Sequence, residues 1–233
     1  MCFLSYVNTR DGVCITHNRD EDKERGKNTE FMMRKLYKRD IIMPIDSKSG
    51  GTWIATGGSY TFAIINGGKE IHQKKETYPK SRGNIIPLFF VFEKFDEFER
   101  VLANQEYEPF TLVYYDSKNH DLRIITRSEN KQSVRILDPN EVHTWSSATL
   151  YPENVRNARD QHFKNILKPN ASADEIFEIH RNKSGTSENC FNIEVTPQIK
   201  TVAITQISFT EKTKQYRDTD LIKSSSKLII SRK

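Results

Sequence analysis

The chain has 233 residues, enough for one large domain or two small ones with a substantial buried core. Lysine and arginine number 36 and aspartate and glutamate 31, and the resulting formal charge of +5 is dispersed, which argues against a nucleic-acid-binding protein. The longest apolar run, residues 85–92, is far shorter than the ~20 residues of a membrane-spanning helix.

Apolar periodicity and turn residues predict a strand-rich chain with a helical middle and a helical insert before the end. The predicted strands are 2–8, 13–17, 50–55, 60–65, 111–115, 122–126, 134–137, 191–195, 201–209, 213–217 and 227–231. The predicted helices are 84–104 with a break at 95–96, 152–167 beginning with proline, and 173–182 capped by Ser172.

Turn residues join these strands into hairpins. Asp11-Gly12 between the first two strands is a strong hairpin signal, and Gly57-Gly58 joins the second pair. The charged block 19–39 is expected to be a solvated loop and strand face. Two sheets with helices imply a layered α+β domain, and since no composition break divides the chain, we predict one domain over 1–233.

The cysteines and the chain start predict a cellular compartment. The start shows none of the features of a secretory signal, so we expect a cytoplasmic protein. The chain has an odd number of cysteines, and their spacing is not that of a metal site. We therefore expect reduced thiols at Cys2, Cys14 and Cys190. Since no cluster of ligating residues has metal spacing, we expect neither a metal nor another cofactor.

Cys2 follows the initiator methionine directly, and methionine is normally removed when a small residue follows it. The mature chain would then begin with a cysteine that carries both a thiol and a free α-amine. An N-terminal amine can activate its own side-chain nucleophile, and such amines and thiols titrate at about 8 and 8.5. The alternative is that Cys2 is simply a small apolar residue at the start of the first strand.

Charged residues follow the second strand at 19–22. Because the end of the second strand of a hairpin returns beside the start of the first, topology places Arg19 within reach of Cys2. A fixed positive charge there would favour the thiolate. Asp20 or Asp22 could hold the α-amine. The alternative is that 19–22 form an exposed charged turn.

Asn66, at the end of the strand 60–65, is a candidate oxyanion donor. Its side-chain NH₂ can donate, and the glycines that follow free the backbone to present a further N–H. The alternative is a simple turn, since Asn-Gly-Gly commonly ends a strand.

Two histidines and the two tryptophans are candidate pocket residues. His17 ends a strand beside the charged motif, and His143 and Trp145 share one face of a strand at period two. Trp53 is included with them, although residues of these types are also common in cores. Three other histidines lie in polar surroundings and are expected to be exposed, namely His72, His120 and His180.

Five motifs occur in a familiar order, namely M-C-F-L-S-Y at the start, N-R-D-E at 18–21, G-G-T-W at 50–53, S-R-G at 81–83 and T-V-A-I-T-Q-I at 201–207. Together they resemble the family named for its Asn-Arg-Asp-Glu motif, which includes the transport and Golgi organisation 2 proteins, over roughly residues 2–207. That family is similar in pattern to N-terminal nucleophile (Ntn) hydrolases of the bile salt hydrolase and penicillin V acylase type. The resemblance implies their four-layer αββα fold, with two stacked antiparallel sheets between helices.

The same resemblance implies a chemistry. It suggests an amidohydrolase of small acylated amides with Cys2 as nucleophile and Arg19 beside it. It favours Asp20 over Asp22 as the partner of the α-amine, and it places Asn66 in the oxyanion pocket.

Two positions depart from the family pattern. Ser147, kept as a pocket residue, stands where a second active-site asparagine would fall, and Val202 occupies the place of a late arginine of the acylases. These losses also suit a non-catalytic pocket for a hydrophobic ligand, since transport and Golgi organisation 2 proteins have been connected with haem and lipid handling. Haem would need an axial ligand, available here only as His17, His143 or Cys2.

Overall fold

The computed structural model describes residues 2–27, 29–36, 39–73, 75–92, 94–129, 131–186 and 188–232. Met1, whose removal the catalytic hypothesis requires, lies outside these residues. The strands are β1 (Cys2–Thr9), β2 (Gly12–Asp22), β3 (Thr29–Leu36), β4 (Arg39–Asp46), β5 (Ile54–Gly57), β6 (Tyr60–Asn66), β7 (Phe110–Asp116), β8 (Asp121–Arg127), β9 (Gln132–Leu137), β10 (His143–Ser146), β11 (Ile199–Phe209), β12 (Thr213–Asp220) and β13 (Ser225–Arg232). The helices are α1 (Lys23–Gly26), α2 (Ile85–Phe92), α3 (Phe95–Ala103), α4 (Glu153–Ile166) and α5 (Ala173–Arg181).

The chain divides into two compact units, one formed by Met1–Lys27 with Asp138–Lys233 and the other by Asn28–Leu137. In the described part of the first unit, six antiparallel strands form a sheet in the order β10-β1-β2-β11-β12-β13. β1 and β2 are the hairpin predicted around Asp11-Gly12, and β11 pairs with β2 from Val13 to Asp22, with a register shift between Thr201 and Ala203. The first two strands therefore lie inside the sheet rather than at its edges.

Helices α4 and α5 cover one face of this sheet. Phe3 and Cys14 point to that face and form a buried cluster with Phe163 of α4 and Ile176 of α5. Because side chains alternate along a strand, Cys2, one residue before Phe3, points to the other face. We call the two sides the helix-covered face and the Cys2 face.

In the described part of the second unit, seven antiparallel strands run in the order β3-β4-β5-β6-β7-β8-β9. Aromatic rings of α2 and α3 pack on the middle strands: the Phe62 ring lies 4.3 Å from Phe89 and 5.2 Å from Tyr114, and Phe89 lies 5.4 Å from Phe98. Although α2 is apolar, no helix within the described ranges is long and apolar enough to cross a membrane.

Two of the sequence motifs meet in the second unit. A Cβ on Gly51 would lie 2.7 Å from the Gly83 Cα, and a Cβ on Gly83 would lie 2.8 Å from the Gly51 Cα. The Thr52 N–H donates to the Gly83 carbonyl at 3.0 Å. The backbones approach this closely only because both residues lack side chains, so G-G-T-W and S-R-G have a packing role.

In the charged block, the predicted solvated strand face is present as β3, whose described side chains are mostly exposed, but the predicted loop before it is in part the end of β2. β2 continues as a strand through Asp22, which excludes an exposed turn at 19–22. β4, predicted neither as strand nor as helix, buries Ile41, Met43 and Ile45 at period two. The predicted second hairpin is confirmed, although its first strand begins only at Ile54.

The prediction of a strand at 191–195 was also wrong. In the described part of this segment only a single bridge, between Glu194 and Lys200, has strand pairing. Phe191 and Ile193 are buried from an irregular loop, so their alternation reflects core packing rather than a strand. His180, expected to be exposed, is fully buried, and the side chain of His72 is only 6% exposed.

Candidate active site at Cys2

Cys2 begins β1 and pairs directly with Arg19 of β2, as the hairpin topology predicts. Paired residues of antiparallel strands project to the same side, so both side chains lie on the Cys2 face. Each residue is only 5% exposed. Cys2 and Arg19 therefore lie opposite each other in a buried part of the sheet.

Glu21, the fourth residue of the N-R-D-E motif, lies two residues beyond Arg19 on the same strand face. Its Oε2 lies 3.8 Å from Arg19 Nη2 and 3.2 Å from Arg25 Nη1. Glu21 therefore stands between the site and the first helix and partly balances the positive charge beside Cys2.

Asp20 points to the helix-covered face and is 1% exposed. Thr201, its partner across β2 and β11, donates its hydroxyl to Asp20 Oδ1 at 2.7 Å. Within the described residues, Oδ2 has no hydrogen-bond partner. Burial raises the pKa of Asp20 from 3.8 to about 7 and Cys2 raises it too, whereas the amino terminus, Thr201 and Arg159 lower it.

Asp22, the alternative partner for the α-amine, has a different role. Its carboxylate accepts from the backbone N–H groups of Glu24 at 2.8 Å and Arg25 at 3.2 Å, which caps α1. Asp20 is instead buried and electrostatically adjacent to Cys2. The geometry thus favours Asp20.

Asn18, the first residue of the motif, is an anchor. Its Nδ2 donates to the carbonyls of His180 at 2.9 Å and Phe191 at 2.7 Å, and its Oδ1 lies 2.5 Å from His180 Nδ1. Since an amide oxygen only accepts, Nδ1 carries the proton, and Nε2 accepts from the Ser5 hydroxyl at 2.8 Å. Burial lowers the pKa of His180 well below its usual value, so the ring is neutral.

Ser147 follows β10 directly and is fully buried. Its N–H donates to the Cys2 carbonyl at 3.0 Å, and its hydroxyl lies 2.7 Å from that of Thr149. At the position where the family resemblance implies an asparagine, the backbone N–H thus binds the Cys2 carbonyl, and the serine hydroxyl pairs with Thr149.

Three of the predicted pocket residues share the Cys2 face. Leu4, two residues after Cys2, pairs with His17 on one side and with Trp145 on the other. The ring of His143 stacks 5.9 Å from Trp145. The first sheet therefore presents these three side chains on the same face as the candidate nucleophile.

The other two predicted site residues, Asn66 and Trp53, belong to the second unit. Asn66 is the last residue of β6, and Trp53 is buried. The N–H of Gly67 donates to the Pro109 carbonyl at 2.9 Å, so it is not the additional oxyanion donor expected behind Asn66. Participation of Asn66 and Trp53 in a site with Cys2 stays a prediction.

The other two cysteines have surroundings that disfavour a thiolate. All three cysteines are free. Burial raises the pKa of Cys14 to about 12. Burial also raises the pKa of Cys190, whose thiol donates to the Asn192 carbonyl at 3.1 Å. Cys2 differs from both in its position, at the start of β1 and paired with the buried Arg19.

Sequence reasoning missed Arg159, which is fully buried near Asp20. Its Nε donates to the Ser146 hydroxyl at 3.0 Å. The available signal was the helical stripe Val155, Arg159 and Phe163, in which a charged residue occupies a position at spacing i, i+4 between apolar ones.

A cavity of about 530 Å³ lies in the first unit beside Thr201, the residue whose hydroxyl binds Asp20. Its walls combine apolar side chains with Tyr151 and two lysines, and it shares no lining residue with the pocket predicted from sequence. The lining includes Val155, Ile193, Val195, Leu221, Lys183 and Lys200. No group of His, Cys, Asp and Glu in the described ranges could hold a metal ion.

Comparisons with known proteins identify the fold and the family. Penicillin V acylase from Agrobacterium tumefaciens is similar in structure, with a TM-score of 0.55 at 13% identity over 98% of this chain and 86% of that chain. At this identity the likeness shows the fold alone, which confirms the predicted α+β Ntn-hydrolase fold with two antiparallel sheets. No curated protein matches the sequence. Residues 1–228 match the Transport and Golgi organisation 2 family, and the chain therefore belongs to that family.

Proposed function

We propose that this protein is an Ntn-type amidohydrolase that acts on a small acylated amide, with Cys2 as nucleophile after removal of Met1. The observation that carries the proposal is the arrangement around Cys2. Its side chain shares a sheet face with the buried Arg19, and the buried Asp20 adjacent to it has an oxygen without a described partner. These are the groups that an amine-activated thiol needs.

The proposed reaction uses the two functional groups of one residue. The α-amine of Cys2 takes the thiol proton, and Sγ attacks the amide carbonyl carbon to form a tetrahedral oxyanion. The C–N bond then breaks, the α-ammonium gives its proton to the leaving amine, and a thioester remains. Water hydrolyses the thioester, which releases the carboxylic acid and restores the thiol. Asp20 would hold the ammonium, Arg19 would stabilise the thiolate, and Asn66 would donate to the oxyanion.

Covalent labelling tests this proposal. The purified protein is incubated with a β-lactone that acylates activated thiols, and its intact mass and peptide map are measured. We expect loss of Met1 and a single adduct on Cys2, which Cys2→Ala abolishes. The double variant Cys14→Ala/Cys190→Ala is the matched control and should label as wild type does. Retained Met1, or labelling of Cys2 no faster than of Cys14 and Cys190, would refute the hydrolase.

Binding of a hydrophobic ligand such as haem or a lipid, without cleavage, is a second candidate, which the cavity beside Thr201 favours. The two departures from the family pattern agree with it. Ser147 hydrogen-bonds to Thr149. Val202 packs closely against Gly26, since a Cβ added to Gly26 would lie only 2.7 Å from Val202 Cγ1. Titration with haem tests the haem version, and the lack of a saturable spectral shift would exclude it.

A further inference from the structure

Arg159 of α4 is a fully buried cation within the first unit. Burying a guanidinium is costly unless its charge and its N–H groups find partners. Its Nε donates to Ser146 Oγ at 3.0 Å, and its Nη1 donates to the Cys190 carbonyl at 2.6 Å. These contacts tie α4 to the end of β10 and to the loop before β11.

Aromatic rings surround the same guanidinium. Its central carbon lies 4.4 Å from the ring centre of Tyr151 and 5.2 Å from those of Phe3 and Phe191. Cation–π contact with rings at these distances stabilises a desolvated cation. The guanidinium of Arg159 therefore lies away from solvent, among three aromatic rings and two hydrogen-bond acceptors.

The first of the two segments bound by Arg159, the end of β10, lies next to Cys2. Ser146, which receives the Nε bond, precedes Ser147, whose N–H donates to the Cys2 carbonyl at 3.0 Å. Phe3, which lies under the guanidinium, directly follows Cys2. Arg159 therefore contacts two residues close to Cys2. Ser146 precedes the residue that binds the Cys2 carbonyl, and Phe3 is the next residue in the chain.

The other segment holds Asp20. The loop that begins at Cys190 reaches Ile193, whose N–H donates to the Thr201 hydroxyl at 2.9 Å. That hydroxyl in turn donates to Asp20 Oδ1 at 2.7 Å. A continuous set of contacts therefore joins Arg159 to the buried carboxyl.

We propose that Arg159 is a positioning residue of the Cys2 site, which holds the segments on either side of Cys2 and Asp20 and provides a permanent positive charge for the Asp20 carboxylate. For its catalytic meaning this inference rests on the proposed function.

The electrostatic surroundings of Asp20 agree with this role. The groups that act on it are Cys2, Tyr151, Cys190, Thr201, Arg159 and the amino terminus. The guanidinium of Arg159 lowers the pKa of Asp20. Burial lowers the pKa of Arg159, and Asp20 opposes that effect, as expected for two buried groups of opposite charge.

The test follows the ionisation of Asp20 directly. The side-chain carboxyl is titrated by ¹³C NMR in protein labelled at aspartate, with Asp20→Asn to assign the signal. In Arg159→Met the pKa of Asp20 should rise by about one unit, which lowers its ionised fraction at neutral pH about fivefold. Arg159→Gln, neutral but able to donate, should give the same rise. Arg159→Lys, which keeps the charge, should stay near wild type.

Lys164→Met, which removes an exposed cation from the same helix, is the matched control and should leave the Asp20 titration unchanged. A change of less than about 0.3 units in both neutral variants would overturn the inference, even if their unfolding temperatures fall. Because the titration needs no reaction at Cys2, its result is separate from the labelling test. Unlabelled Cys2 with a shifted Asp20 would refute the hydrolase alone.

Discussion

Replacing Asn18 by alanine should destabilise the first unit severely, although the residue is part of the N-R-D-E motif and not a candidate for the chemistry. The fully buried side chain donates to the carbonyls of His180 and Phe191 and accepts from His180 Nδ1. In Asn18→Ala, the two carbonyls and the His180 Nδ1–H each lose their hydrogen bond to Asn18. At roughly 1–2 kcal/mol for each buried group that loses its partner, the cost is about 3–6 kcal/mol. That is a large part of the ~5–15 kcal/mol that stabilises a typical domain.

The assay should report on the first unit alone. The chain has two tryptophans, Trp145 in the first unit and Trp53 in the second. In a Trp53→Phe background, tryptophan fluorescence therefore comes from Trp145 alone. Urea unfolding of that protein with and without Asn18→Ala gives the difference in free energy. Asn140→Ala, an exposed asparagine of the same unit, should change stability by less than about 0.5 kcal/mol.

A loss of less than about 1 kcal/mol in Asn18→Ala would show that the three hydrogen bonds do not hold β2 to α5 and the 191–195 loop. The interpretation of Asn18 as an anchor would then be wrong.

Two further predictions concern Asp20 and the paired glycines. Because burial raises the pKa of Asp20 in the folded protein to about 7, the folded protein keeps a proton that the unfolded chain loses near pH ~4. The free energy of unfolding therefore falls as pH rises from about 4 to about 7 and changes little above that. Asp20→Asn should therefore raise the free energy of unfolding by on the order of 2–4 kcal/mol at about pH 8 and by much less at about pH 5, and equal effects at both pH values would contradict the assignment. Gly83→Ala should cost about 1–3 kcal/mol, because its Cβ would lie 2.8 Å from the Gly51 Cα. Urea unfolding followed by Trp53 in a Trp145→Phe background measures this cost, and wild-type stability would show that the two backbones can separate freely.

The parts of the site that could be predicted depend on local rules. The Asp11-Gly12 turn sets the register of β1 and β2, and that register alone brings Arg19 opposite Cys2. Helices α4 and α5 were predictable in the same way, since proline precedes one and Ser172 caps the other with a capping box. Such features need only neighbours along the chain.

The tertiary structure decided everything that depends on partners distant in sequence. Asp20 and Asp22 are equivalent in the sequence, but one is buried against Thr201 and the other caps a helix. His180 looks like a surface residue until Asn18, 162 positions away, supplies its hydrogen bond. Arg159 looks like one more charged residue of a polar helix, yet the packing of three aromatic rings makes it a buried cation. Burial and charge pairing depend on segments that are distant in the sequence. A local pattern such as the helical stripe of Arg159 can indicate a buried position, but it cannot identify the partners.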